Sequence, residues 1–387
     1  MDSMNKWEDN GKMYIVWGVV FAVAVIAIVV WSIIAPDKTY SATEKRNLAS
    51  GQDVVQCIKR GESPADAAEK YMADQFPGRN NIVAVKASME RFMGKVRFND
   101  VYVCDNGYMM QDFAEPDAGN ISETYEQMTE FVSRYPESSF YMMLVPNAIS
   151  VYRDYLPDYI EVRDQNEFID DTYTNIGNNI DCIDARPVLK GDGLYYRTDH
   201  HWTTDAAYLA YGLMADEMRL DLEADYEGGV VCSDFKGSLA SRSGYTPSVR
   251  DNVSVYYQTS GDKVYYTVTY EDSHSKEGTC YRPDRLTAAN PYEVFLGGDH
   301  SAITIDTSAD TDRTLIVFKD SYANCLIPFL IPQFKKIKIV DPRHFYDDID
   351  MVMQSEKFTD VLFLYNVNTF SQDTVLKVVL ANEQQAE

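Results

Sequence analysis

Histidine is scarce in this chain, with five in 387 residues, and the scarcity limits the available chemistry. There is no His-x-x-x-His, no His-Glu-x-x-His and no dense second cluster of Asp and His. The usual ligand sets of catalytic zinc are therefore missing, and no metal or other cofactor is expected. Cys-x-x-Cys pairs are also absent, which removes zinc ribbons and thioredoxin-like redox sites. The six cysteines (57, 104, 182, 232, 280 and 325) are widely spaced. An even number would permit disulfides in an oxidising location, with Cys232 and Cys280 the first candidate pair; the alternative is a set of small buried residues.

Basic residues are few as well. Lys and Arg number 35 against 60 Asp and Glu, a net charge of −25, of which the first 36 residues carry −1. A domain this acidic repels nucleic acid and anionic headgroups at long range. No nucleic-acid partner is expected, and a heavily phosphorylated substrate is disfavoured. Internal repeats and low-complexity tracts are also lacking.

What is present begins at the N-terminus. Residues 13–35 form an uncharged, almost wholly apolar run of 23 residues, enough to cross a hydrocarbon core of roughly 30 Å as a helix. Tyr14, Trp17 and Trp31 lie near its ends, where aromatic rings favour the interface. A cleaved signal peptide is the alternative, but its apolar region is shorter, roughly 7–15 residues, and no small-x-small site follows Ala35. The expected organisation is a cytoplasmic tail (1–12), a transmembrane anchor (13–35), a stalk (36–68) and one domain (69–387). Lys6 and Lys12 before the run and Lys38, Lys45 and Arg46 after it leave orientation open.

In the domain, Asp105-Asn106-Gly107 predicts a hairpin. Helical patterns at 123–134 and 165–176 then alternate with strands at 140–145 and 180–183. A helix at 205–218 is capped by Thr203 or Thr204. Residues 225–310 break the alternation, with a second hairpin expected around Ser260-Gly261-Asp262, and read as a β-rich insertion. Strands at 315–318, 337–340 and 361–365 and a last helix after Thr369 resume it; residues 383–387 read as a frayed tail. Such alternation implies an α/β fold, a parallel sheet flanked by helices, with ligands bound at the carboxyl ends of its strands. Asn147, Asp199, Ser321, Asp341 and Asn366 all fall just past those strands or in loops after them.

Two motifs carry chemistry. In Thr198-Asp199-His200-His201-Trp202, Asp199 and His201 are two apart and share a face if the segment is extended. Asp199 can then hold one ring nitrogen of His201, leaving the other to act as a base. In Asp320-Ser321-Tyr322, Ser321 sits at a strand-to-helix turn. A serine so placed and an Asp-His pair are what nucleophilic acyl transfer requires; the plainer reading of Ser321 is a helix cap. Oxyanion donors are sought among the Ser321 and Tyr322 N–H groups and the amides of Asn147 and Asn366. Arg242, Arg343 and His344 are candidates to line the pocket, and Tyr322 to touch substrate. His200 is expected to point away and support the pair from outside. Trp202 either packs the following helix or offers a face to sugar. Cys325 is expected to pack behind the serine.

At these residues the chain resembles the DHHW family, itself similar to the alginate O-acetylation proteins with their SGNH-hydrolase-like domain. Those relatives also place Asp-x-His before the serine. Asp74-Gln75-Phe76-Pro77-Gly78-Arg79, Asn106-Gly107-Tyr108, Val145-Pro146-Asn147, Phe235-Lys236-Gly237-Ser238-Leu239 and Asp341-Pro342-Arg343 extend the resemblance over roughly residues 70–380. It implies an SGNH-hydrolase-like sheet with a β-rich insertion and a Ser321–His201–Asp199 triad. It further implies an extracytoplasmic O-acetyltransferase or acetylesterase acting on a cell-envelope polysaccharide, a transferase being served by a membrane-bound O-acyltransferase. One departure is clear: the usual SGNH block reads Gly-Asp-Ser, and Lys319 replaces the glycine. That favours the rival class, a non-catalytic glycan-binding or scaffold protein; the intact Asp-x-His and serine oppose it.

Overall fold

The computed structural model describes residues 2–41, 46–61, 63–221 and 224–382; the side chains of 2–12, 29, 32, 33 and 46 and the expected tail 383–387 lie outside the described set. The apolar run belongs to one continuous helix, Asp2–Ile34. Among the described residues no helix is long and apolar enough to cross a membrane.

The chain divides into two compact units: residues 1–95 with 244–246, and residues 96–243 with 247–387. The unit carrying the expected site thus begins at Val96 rather than at residue 69. The first unit holds helices Gly51–Arg60, Pro64–Gln75 and Arg79–Phe92. Its Asp-Gln-Phe-Pro-Gly-Arg landmark has a structural cause. Asp74 accepts the Ala49 N–H at 2.9 Å, and Gln75 bonds both backbone groups of Lys38 at 2.9 Å and the Ala49 carbonyl at 2.7 Å. These bonds tie Lys38 and Ala49 to the Pro64–Gln75 helix. Pro77 ends that helix and Gly78, at φ +74°, starts the next.

The second unit is built on an eight-stranded sheet. Its strands are β1 (Ser139–Val145), β2 (Asp181–Cys182), β3 (Tyr266–Tyr270), β4 (Ser275–Glu277), β5 (Ala302–Thr307), β6 (Thr314–Lys319), β7 (Lys336–Val340) and β8 (Asp360–Asn366). The spatial order is β4-β3-β5-β7-β6-β8-β1-β2. From β7 to β2 every pairing is parallel; β4, β3, β5 and β7 pair antiparallel. The sheet is therefore mixed, a correction to the all-parallel expectation. The insertion contributes three of its strands, because β5 pairs antiparallel with β7 from Ala302 to Asp306.

Central strands are apolar on both faces, as buried parallel strands must be. Tyr141, Met143 and Val145 of β1 enter one core and Phe140, Met142 and Leu144 the other; Leu362 and Leu364 of β8 oppose Val361, Phe363 and Tyr365 likewise. Helix Thr204–Met218 covers the first face through Ala206, Ala207, Ala210 and Met214. Helices Ala118–Arg134 and Ile349–Glu356 cover the second through Met128, Phe131, Ile349 and Met353.

The hairpin at 105–107 joins Val101–Val103 to Met109–Gln111. That expected at 260–262 does not form. Asp251–Gln258 pairs with Tyr226–Phe235 in a separate two-stranded sheet, which carries Val253 and Val255 into the first core, while Tyr266–Tyr270 joins the main sheet. Cys232 lies on that separate ladder at an irregularity, and Cys280 is buried beside the Tyr266 hydroxyl at 3.4 Å. Both thiols are free, so the expected disulfide is not made. Cys325 is buried in the first core.

Candidate active site

Ser321 follows β6, Asn366 ends β8 and Asn147 follows β1. These three strands are adjacent and parallel, so their carboxyl ends converge. Chain progression reverses here: β6 leads outward to β7 and β1 outward to β2, with β8 between. That is where open α/β sheets leave a crevice.

Asp199 and His201 reach the crevice on a tight loop. Tyr195 and Trp202 bridge its ends, and the Tyr196 N–H donates to the His201 carbonyl at 3.2 Å. Asp251 accepts from the Arg197 and Thr198 N–H groups, each at 2.8 Å, and from the Thr198 hydroxyl at 2.5 Å. The Thr198 carbonyl accepts from Leu239 and Ala240, and the Ser238 N–H donates to Asp199 Oδ2 at 2.6 Å. Gly237 packs so closely that a Cβ there would lie 2.3 Å from the Asp199 Cβ, which explains the Lys-Gly-Ser landmark. Loop curvature also corrects the extended geometry expected. His200 does not point away; its ring centroid is 3.8 Å from that of His201, and its Nδ1 bonds the Ser238 hydroxyl at 2.7 Å.

The structure brings Asp199, His201 and Ser321 into one line. His201 Nδ1 lies 2.5 Å from Asp199 Oδ1, and Nε2 lies 2.8 Å from Ser321 Oγ. With Nδ1–H donated to Asp199, Nε2 is the acceptor for the serine proton. Burial opposes ionisation of Asp199, but the charges of His200 and His201 and the His201 hydrogen bond hold its pKa well below the usual carboxylate range. Tyr292, which sequence reasoning missed, stacks on the imidazole with centroids 3.9 Å apart at 14°, and its hydroxyl donates to the Ser321 carbonyl at 3.1 Å. Nothing local in Asn290-Pro291-Tyr292 announces that contact.

Several expected donors are already committed. The Tyr322 N–H donates to Asp320 Oδ1 at 2.8 Å. The Asn366 amide donates to Asp320 Oδ2 at 2.6 Å and to the Thr369 hydroxyl at 2.7 Å. Both hydrogens of the Asn147 amide are used, on the Tyr322 hydroxyl and Asn366 Oδ1 at 3.0 Å each. These groups fix the base of the site rather than face a reacting carbonyl. The Ser321 N–H has no partner among the described residues. Burial raises the Asp320 pKa to about 6 against the hydrogen bonds it accepts.

Tyr322 is buried, its hydroxyl donating to the His200 carbonyl, so it supports the loop and does not reach substrate. Trp202 is fully buried, with Nε1 donating to the Tyr322 carbonyl at 2.9 Å; its ring offers no face to sugar. Ser321, His201 and His200 open onto a cavity of about 460 Å³ whose wall includes Arg242, Arg343, Asn366 and Asn324. Arg242 pairs there with Asp100 at 2.8 Å. His344 is exposed and outside that wall. Asn324 was not foreseen; it lines the cavity three residues beyond the serine.

Lys319, in the glycine position, is 1% exposed and lies 3.3 Å from Asp341 and 3.6 Å from Asp299. Arg343 engages the same Asp341 through Nε at 2.8 Å and Nη2 at 2.5 Å. Burial pushes the Asp341 pKa up, but the Arg343 hydrogen bonds and the Lys319 charge bring it below the usual range.

Among the described residues two groups could geometrically hold a metal, Asp199-His200-His201 and Asp299-Asp341-His344. In the first, the ring and carboxylate atoms are engaged with one another, Ser238 and Ser321. In the second, both carboxylates face Lys319 and Arg343. The donor sets fit ion pairing better than a metal.

The DHHW protein family model matches residues 98–340. A DHHW family protein from Eubacterium siraeum superposes with a TM-score of 0.63 at 22% identity, over 76% of this chain and 98% of that one. Bacillus cereus PatB1 carrying a sulfonyl adduct gives 0.59 at 18% identity, over 72% and 98%. The O-acetyltransferase domain of Pseudomonas putida AlgJ aligns more loosely, at 0.41 and 12% identity over 73% and 99%. No curated protein matches. The chain belongs to the DHHW family.

Proposed function

We propose that this DHHW family member is a serine-dependent O-acetyltransferase or acetylesterase acting on a cell-envelope polysaccharide outside the cytoplasmic membrane. The observation carrying this reading is the unbroken Asp199–His201–Ser321 hydrogen-bond line opening onto a cavity. Ser321 Oγ attacks the carbonyl carbon of an acetyl ester as its proton passes to His201 Nε2. Asp199 stabilises the resulting imidazolium. Collapse expels the donor alcohol, which takes the proton from His201 and leaves acetyl-Ser321. A sugar hydroxyl, or water, then gives its proton to His201 and attacks the acetyl carbon; the Ser321 ester bond breaks, Oγ recovers that proton from His201, and the acetylated sugar or acetate leaves. Transfer and hydrolysis differ in that second nucleophile alone.

The uncharged run at 13–35 would anchor the chain as a single pass. A membrane-bound O-acyltransferase would present acetyl groups on the outer side. Lys319, which stands in the glycine position, is ion-paired with Asp341, so its charge is not directed at the catalytic line.

The test is turnover of para-nitrophenyl acetate by the purified protein with and without envelope glycan. Acetate release abolished in both Ser321→Ala and His201→Ala supports the reading, and acetyl appearing on the glycan identifies a transferase. Equal release by all three proteins would reject it.

A further inference from the structure

We infer that Asn324 is a catalytic residue, donating its side-chain amide, together with the Ser321 N–H, to the oxygen that becomes negative when Ser321 attacks. This rests on the serine mechanism proposed above.

Four observations converge. Ser321 and Asn324 occupy one 3-10 helix, Ser321–Cys325, in which side chains three apart eclipse one another along the axis. Asn324 therefore stands in line with the serine, and both line the same cavity. Asn324 is 2% exposed, and its Oδ1 is sealed from solvent without a hydrogen-bond partner among the described residues. Buried amides are nearly always satisfied, so an orphan asks for an explanation. Finally, the other amides at the strand ends are spent: Asn147, Asn366 and the Tyr322 N–H are committed to Tyr322, Asp320 and Thr369.

The chemistry requires such a donor. As the Ser321 Oγ–carbon bond forms, the carbonyl π pair moves onto oxygen, and collapse of the intermediate returns it while the alkoxy leaving group departs. A donor beside the nucleophile is worth most at that moment, and removing one costs about 10²–10³ in rate. The Asn324 NH2 makes no bond elsewhere among the described residues, so it is available without rearrangement. A packing residue here would be better apolar, whereas an amide on the cavity wall offers NH2 hydrogens that a developing oxyanion can accept.

The experiment measures kcat, KM and Tm for full-length protein in detergent, comparing wild type, Asn324→Ala, Asn324→Leu and Ser321→Ala on para-nitrophenyl acetate. Expected is a roughly 100-fold fall in kcat for both Asn324 variants, with KM little changed and Tm of Asn324→Ala equal to or above wild type. Asn324→Ala retaining kcat within about threefold would overturn the inference and leave the serine mechanism standing, provided Ser321→Ala is inactive. A kcat loss accompanied by a Tm drop in both variants would make Asn324 structural and also overturn it. Turnover surviving in Ser321→Ala, or absent from the wild type, removes the mechanism itself and the role of Asn324 with it.

Discussion

Lys319 and Asp341 meet at 3.3 Å at the ends of the adjacent parallel strands β6 and β7, where Phe318 and Val340 are registered neighbours. A lysine in the residue pair before the nucleophile is tolerated because the next strand delivers a buried carboxylate to it. Removing one partner of a buried pair costs roughly 3–5 kcal/mol. Lys319→Met is expected near the lower end, because Arg343 still partners Asp341. In a double-mutant cycle with Asp341→Asn, measured by chemical denaturation, the two residues should couple by about 1–2 kcal/mol. Strict additivity would show that the pair is not an energetic unit.

Gly237 has no room for a side chain. A Cβ would meet the Asp199 Cβ at 2.3 Å and the Thr198 carbonyl at 2.5 Å. Gly237→Ala should cost about 2–3 kcal/mol by overpacking and displace Asp199 from His201. Ester turnover should fall by a larger factor than Tm alone accounts for. Wild-type activity in this variant would show that the loop is not held as described.

Asp320 provides a pH test. Its pKa is raised to about 6 by burial, whereas in the unfolded chain it titrates near the ordinary value of about 3.9. Its contribution is therefore fully present below pH 4 and lost as pH rises through 6. The loss is about 3 kcal/mol from two pH units. Stability of wild type relative to Asp320→Asn should decline between pH 4 and pH 7. A flat or rising difference would contradict the assignment.

How far the residues alone reveal this molecule depends on the range of the interactions. Strand periodicity at 140–145 and 361–365 and the Asp105-Asn106-Gly107 turn are local, and the corresponding elements form at β1, β8 and the 101–111 hairpin. The Asp199–His201 contact is legible from a two-residue spacing, whereas the resemblance and not spacing pointed to Ser321, 120 residues on, which meets His201 Nε2 at 2.8 Å. Partner choice was not legible. Asp251–Gln258 had two possible neighbours and took Tyr226–Phe235, so the turn at 260–262 joins two sheets instead of closing one hairpin. The same holds for polar groups: that Asn147 and Asn366 bond each other, and that the Asn324 Oδ1 has no partner among the described residues, follows from three strand ends converging. The bend that turns His200 toward His201 depends on Asp251 and Ser238, 38 or more residues away.

The central claim is that Ser321 carries the acyl group. Full-length protein would be mixed with an acetyl ester, quenched in acid, digested and weighed by mass spectrometry. One acetyl group on the peptide containing Ser321, present in wild type and missing from His201→Ala, is the predicted result. Acetate release with no acetyl ever on that peptide, or an equal adduct in His201→Ala, would contradict it.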